Sequence, residues 1–274
     1  MKRHYFTGLL SALLLCTLSV YDRPAQSNPS QPLALPEVKA VEPRMVAPAV
    51  KGESLNQIKL SAKTATFKHS THPREAKVRY PIVTGVSDPT FQAKLQTAID
   101  LKTVFGRSLE EMEQDFQETH WLRQLDYTVN YNDRGILSLT YSGDGLAAYP
   151  SGFVRYQSVN LQTGDILRPH HLFKTSSLGS IARMVDRQLQ KAIQTKVAEL
   201  DRDENAKEID RAIFRAHQFR IRHLNDFTVT SEGVMFHYRF GFPHVILAAE
   251  PEGDFLIPYA ELKPHLKVGS LLQE

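Results

Sequence analysis

From Leu125 to Tyr141 the chain is written with a period of two. Leu125, Tyr127, Val129 and Tyr131 alternate with polar residues, Asn132-Asp133-Arg134-Gly135 follows, and Leu137, Leu139 and Tyr141 alternate again. A helix cannot place such residues on one face, whereas a strand does so at every second position. The four residues between the runs end in a glycine that accepts a positive φ, so the pattern predicts a hairpin. Val154, Tyr156 and Ser158 then face one way and Arg155, Gln157 and Val159 the other. The expectation is three antiparallel strands in meander order, followed by a turn at Gln162-Thr163-Gly164-Asp165.

The flanking sequence changes period. Gln57–His69 and Ala76–Val83 read as strands, and Asp88-Pro89 reads as a helix start, with the carboxylate as N-cap and proline where no N–H is needed. Phe91, Leu95, Ala98 and Ile99 continue that helix, and Leu109–Thr119 reads as a second. Beyond the meander, Leu178, Ile181, Met184, Val185, Leu189, Ile193, Val197 and Leu200 recur at intervals of three and four, the signature of a long amphipathic helix. Ile209, Ile213, Ala216 and Phe219 predict another helix, starting near Asp203. Val234 to Phe242 predicts an unbroken strand, Val245–Ala248 and Phe255–Ile257 shorter ones, and Tyr259–Leu266 a closing helix interrupted by Pro264. Grouped strands and grouped helices give an α+β fold: a mostly antiparallel sheet with two or three helices packed on one face.

The N-terminus has a different character. A basic start, MKRHY, precedes the apolar segment Phe6–Val20, which is shorter than a membrane-spanning helix requires, and Ala25-Gln26-Ser27 supplies a small-residue cleavage site. Residues 1–27 therefore read as a signal peptide, with an uncleaved anchor as the alternative. Residues 28–54 carry Pro29, Pro32, Pro36, Pro43 and Pro48 and read as a disordered proline-rich linker. Residues 55–274 read as a single α+β domain. The expected location is extracytoplasmic, periplasmic or secreted, with membrane contact only through an uncleaved signal. The sole cysteine, Cys16, lies inside the signal, so the mature chain has no thiol for disulfides, catalysis or metals.

Charge excludes one class of partner. The chain has 33 basic and 30 acidic residues, and residues 1–27 hold Lys2, Arg3 and Arg23 against Asp22, which leaves 30 against 29. A nucleic-acid binder needs a strong basic excess, so none is expected.

The stretch YSGDGLAAYPSG, Tyr141–Gly152, gathers three glycines, an acid, two tyrosines and a proline. A dinucleotide loop must open a helix, and here a strand follows, so the glycines read as a connection between strands. Asp144 and Asp165 read as turn residues. His170-His171, placed on a strand, would point to opposite sides, and His237 and His244 belong to no metal-ligand spacing. The acidic run Glu110, Glu111, Glu113, Asp115 and Glu118 reads as a solvated helix face. No cofactor, metal site or catalytic residue is assigned. Tyr149, Phe153, Arg155 and Tyr156 combine aromatic and guanidinium groups as recognition surfaces do and are the candidate ligand- or partner-binding residues.

Three ordered blocks carry a resemblance. They are YPIVTGVSDPTFQAKLQTAI (80–99); VNYNDRGILSLTYSG (129–143) with SVNLQTGDIL (158–167) and HLF (171–173); and FTVTSEGVMFHYRF (227–240) ending in LIPYAEL (256–262). The series resembles the RsiV-like extracytoplasmic domain family, which includes the C-terminal domain of the anti-sigma factor RsiV and a domain preceding some peptidoglycan deacetylases. The resemblance implies an α+β fold outside the cytoplasm and a non-enzymatic role in binding an envelope ligand or protein. Members carry a Gly-Gly-Ala-His stretch after the tyrosine strand, whereas Gly143–Pro150 here has no histidine. A ligand that depends on that histidine does not transfer.

The expected function is an exported, non-enzymatic binding domain recognising a wall polymer or an envelope or lysozyme-like protein. The alternatives are a wall-active hydrolase using carboxylate and histidine acid–base chemistry, or a structural envelope protein.

Overall fold

The computed structural model of the chain describes residues 55–146 and 149–273. The expected signal peptide (1–27) and linker (28–54) lie outside the described residues. The fold is α+β, with a five-stranded, mostly antiparallel sheet and a separate three-stranded one.

Strands β1 (Lys59–Lys68) and β2 (Glu75–Thr84) form an antiparallel hairpin at one edge of the larger sheet. Asp88 then caps α1 (Pro89–Ile99), accepting from the amides of Thr90 and Phe91. Asp100 separates α1 from α2 (Leu101–Phe105), which ends at Gly106 in the left-handed conformation. Ser108 and Glu111 close a reciprocal capping box on α3 (Leu109–Thr119), so the acids of this segment fix its start as well as facing solvent. The three helices carry the chain across to β3 (Leu122–Asp133), which joins β2 in the one parallel pairing of the sheet.

β3, β4 (Ile136–Leu146) and β5 (Pro150–Asn160) form the expected antiparallel meander. Arg134 and Gly135 both take positive φ, 51° and 77°, the geometry of a tight hairpin. One expectation changes here. β4 and β5 stay paired to the last residues, Leu146 opposite Pro150, so most of Tyr141–Gly152 is strand rather than loop, and Asp144 is a ladder residue opposite Gly152.

After the Gly164 turn come α4 (Pro169–Leu172) and α5 (Leu178–Arg202), whose buried stripe Ile181, Val185, Leu189 and Ile193 shares one hydrophobic core with Leu224, Val229, Val234 and Phe236. His170 and His171 are therefore helical rather than on a strand, and their rings touch at 4.1 Å. The helix expected over Ile209–Phe219 is absent: this segment contains a 3-10 turn at Arg211–Phe214, between others at Glu204–Ala206 and Ile221–Asn225. Side chains take up the backbone groups a helix would have paired. Arg211 donates to the carbonyls of Ala206 and Ile209, Gln190 donates to that of His217, and Asp186 accepts the Phe219 amide.

The second sheet is β6 (Phe227–Val229), β7 (Gly233–His237) and β8 (Asp254–Pro258). The strand expected to reach Phe242 ends at His237. One more bond, from the Tyr238 amide to the Gly253 carbonyl, follows the ladder; Gly241, at φ 69°, then turns the chain away, while Tyr238, Phe240 and Phe242 stay packed in the core that α5 covers. Val245–Ala248, expected as a strand, lies in a 3-10 segment, His244–Ala249. The closing helix divides at Pro264 into α6 (Tyr259–Leu262) and a 3-10 turn. A buried serine joins the two sheets: Ser138 Oγ lies 2.9 Å from Ser158 Oγ and accepts the Val229 amide at 3.0 Å.

Candidate functional site

At the Leu146–Pro150 end of the meander the sheet is stripped of side chains on one face. Gly143 and Gly145 are alternate residues of β4 and so share a face. A Cβ at Gly143 would come within 2.7 Å of Phe153 Cε1, and one at Gly145 within 2.7 Å of the Trp121 indole. The glycines are a floor on which two rings lie. Trp121 is held there from both ends: its carbonyl accepts the Leu146 amide at 2.8 Å, and its Nε1–H donates to Ser151 Oγ at 2.9 Å. Its ring centroid is 5.6 Å from that of Phe153, and Phe105, delivered by α2, meets Phe153 edge-on at 5.4 Å.

These rings line a cleft of about 590 Å³, roofed by α3 through Met112 and Phe116. That volume falls in the ordinary range of ligand pockets. Arg107, Asp115 and Arg155 supply its charge. Arg107 is paired with Asp115. The Arg155 side chain donates to the neighbouring Val154 carbonyl at 3.0 Å, and no carboxylate pairs with it among the described residues. The cleft thus offers apolar ring faces beside one uncompensated cation. It can stack a flat or ring-shaped ligand and attract an anion. One carboxylate and no histidine line it, so it assembles no acid–base pair.

The four residues singled out from sequence do not converge. Phe153 and Arg155 line the cleft. Tyr156, on the opposite face of β5, stacks on His237 at 3.6 Å with rings 6° apart. Burial, with Asp254 nearby, raises its pKa. Tyr149 is largely exposed and stacks on His244 at 4.8 Å. Trp121, Phe105 and Arg107 escaped the sequence reading. The legible signal was the pair of alternate glycines on a strand, which marks a face where something else lies flat.

The remaining titratable candidates are structural. Asp144 accepts from Arg123 at 2.6 Å and from Gln124 at 2.8 Å, and the Arg123 bond holds its carboxyl below the usual range. Asp165 is held down chiefly by Lys94, 2.8 Å away. β4 Asp144 pairs with Gly152, whereas Asp165 lies beyond Asn160, eight ladder positions further along. At about 3.3 Å per residue the two acids stand roughly 26 Å apart. His237 bridges Asp254 (2.7 Å) and Thr228 Oγ1 (3.0 Å), the order of a hydrolytic relay. Thr228 and His237 are only 2% and 7% exposed, however, so the hydroxyl meets no substrate. No helix among the described residues is long and apolar enough to cross a membrane.

No protein-family profile and no curated protein matches the chain. Solved structures do. A DUF3298-family protein from Bacteroides fragilis NCTC 9343 superposes with a TM-score of 0.52 at 10% identity, over 80% of this chain and 99% of its own. A DUF3298-family protein from Pseudomonas aeruginosa PAO1 gives 0.52 at 13% identity, over 78% and 95%. The described chain therefore has the fold of DUF3298 proteins.

Proposed function

We propose that this chain is an RsiV-like, extracytoplasmic, non-enzymatic binding domain that seats an anionic cell-wall glycan in the cleft of Trp121, Phe153 and Arg155. The observation that carries this reading is the cleft's composition: three packed rings beside a guanidinium that no carboxylate among the described residues neutralises. Sugar rings stack on aromatic faces, and the free peptide carboxylates of peptidoglycan suit an arginine without a carboxylate partner. The N-terminal sequence supports the location, with its basic start, apolar segment and small-residue cleavage site ahead of a proline-rich stretch. The separation of Asp144 from Asp165 and the sealing of Thr228 weigh against the hydrolase alternative.

Co-sedimentation with intact peptidoglycan tests the reading. The wild-type protein pellets with the sacculi, Arg155→Ala and Phe153→Ala stay in the supernatant, and the glycan chains remain uncut. Release of soluble glycan fragments, or equal pelleting of the two variants, overturns it.

A further inference from the structure

At the C-terminal end of α3, three histidines from distant parts of the chain converge. His69 and His72 belong to the turn between β1 and β2, and His120 follows the last residue of α3. One nitrogen of each lies within 4.8 Å of the other two. The ring centroids are 4.0 to 4.7 Å apart, and a shallow cavity of about 290 Å³ opens beside His69 and His72.

The arrangement is held in place. Gln117 of α3 donates to the Lys68 carbonyl at 2.8 Å and accepts the Ser70 amide at 3.0 Å, pinning the turn to the helix. The Gln117 carbonyl accepts from His69 Nε2 at 2.9 Å, which leaves Nδ1 with its lone pair. That is the usual support of a metal-ligating histidine, whose second nitrogen donates to a backbone carbonyl. His120 Nδ1 is buried without a hydrogen-bond partner among the described residues. Its backbone is left-handed at φ 51°, an uncommon state for a residue other than glycine.

We propose that His69, His72 and His120 form a three-histidine site for one divalent cation of the zinc class, with an open fourth position. Zinc–nitrogen bonds of about 2.0–2.1 Å place tetrahedral ligands roughly 3.4 Å apart, so the rings draw together by roughly 1 to 1.5 Å. The exposed turn can supply that movement. Nδ1 of His69 now accepts the amides of Thr71 (3.1 Å) and His72 (3.0 Å), both exposed and able to turn to water. Arg74 donates to the His120 carbonyl at 3.4 Å, and this nearby cation disfavours weakly bound ions. An all-imidazole set selects zinc, copper or nickel over magnesium or calcium. The H-x-x-H spacing of His69 and His72 was legible in the sequence, whereas the contribution of His120, 48 residues further on, was not.

Calorimetric titration of the tag-free, metal-stripped full chain with zinc chloride tests the site. The expected result is one zinc per chain and a zinc-dependent rise in Tm. His72→Ala and His120→Asn each weaken binding by about tenfold or more. Asparagine tolerates the left-handed backbone, so His120→Asn removes the ligand while keeping the helix end. His170→Ala binds as wild type. Circular dichroism checks that each variant is folded. No heat and no Tm rise at about 1 mM zinc overturns the proposal. Unchanged affinity in folded His72→Ala and His120→Asn, or a loss on His170→Ala instead, does the same.

Discussion

The indole of Trp121 lies so close over Gly145 that a single added methyl at that glycine would stand 2.7 Å from the ring. The backbone here is ordinary strand, so the need for glycine is steric and not conformational. The methyl would also run into the Trp121 carbonyl oxygen, which accepts the Leu146 amide, so Gly145→Ala should displace the indole together with the backbone that carries it. Overpacking of this kind costs about 1–3 kcal/mol. Trp121 is the chain's one tryptophan, so its emission reports the displacement without interference. Thermal melts and emission spectra of the variant check both effects, and an unshifted spectrum at wild-type Tm contradicts the packing described.

Ser138 carries the junction of the two sheets. Its side chain is fully buried and takes the Val229 amide, with Ser158 as its other contact. Ser138→Ala leaves that amide in an apolar interface without an acceptor, which costs about 1–3 kcal/mol. Ser158→Ala removes a hydroxyl but leaves the amide satisfied, and should cost less. Urea denaturation of both variants gives the order, and equal losses would rule out the assignment of roles.

Asp254 makes stability depend on acid. The hydrogen bond from His237 outweighs burial and holds its carboxyl below the ordinary value. A depressed carboxylate stabilises the fold above its unfolded pKa of about 4, and that stability is lost as pH falls through the folded value. Wild type should lose stability relative to Asp254→Asn as pH falls below about 5. Parallel denaturant titrations across that range test the sign.

Much of the scaffold could be read from local chemistry. Asp88-Pro89 announced α1, and the alternation around Arg134-Gly135 announced the central hairpin, because caps and turns depend on a few adjacent residues. The segment from Glu204 to Asn225 could not be read that way. Its apolar spacing is helical, yet Gln190 and Asp186 of α5 satisfy part of its backbone from outside, partners set by tertiary packing, while Arg211 bonds the Ala206 and Ile209 carbonyls within the segment. Val234–Phe242 misled for a related reason: alternation records which face is buried, while the ladder stops at His237. The cleft was half legible. Phe153 and Arg155 follow from their position on β5, but Phe105 and Trp121 arrive from α2 and the α3–β3 junction, a crossover that no local pattern specifies.

Trp121 offers the most direct test of ligand binding in the cleft. Soluble, lysozyme-released peptidoglycan fragments should produce a saturable change in its emission. Arg155→Ala should weaken that response by about tenfold, in line with loss of a charge-assisted contact. Fragment binding seen by calorimetry with no change in Trp121 emission, or undiminished in Arg155→Ala, would contradict the account.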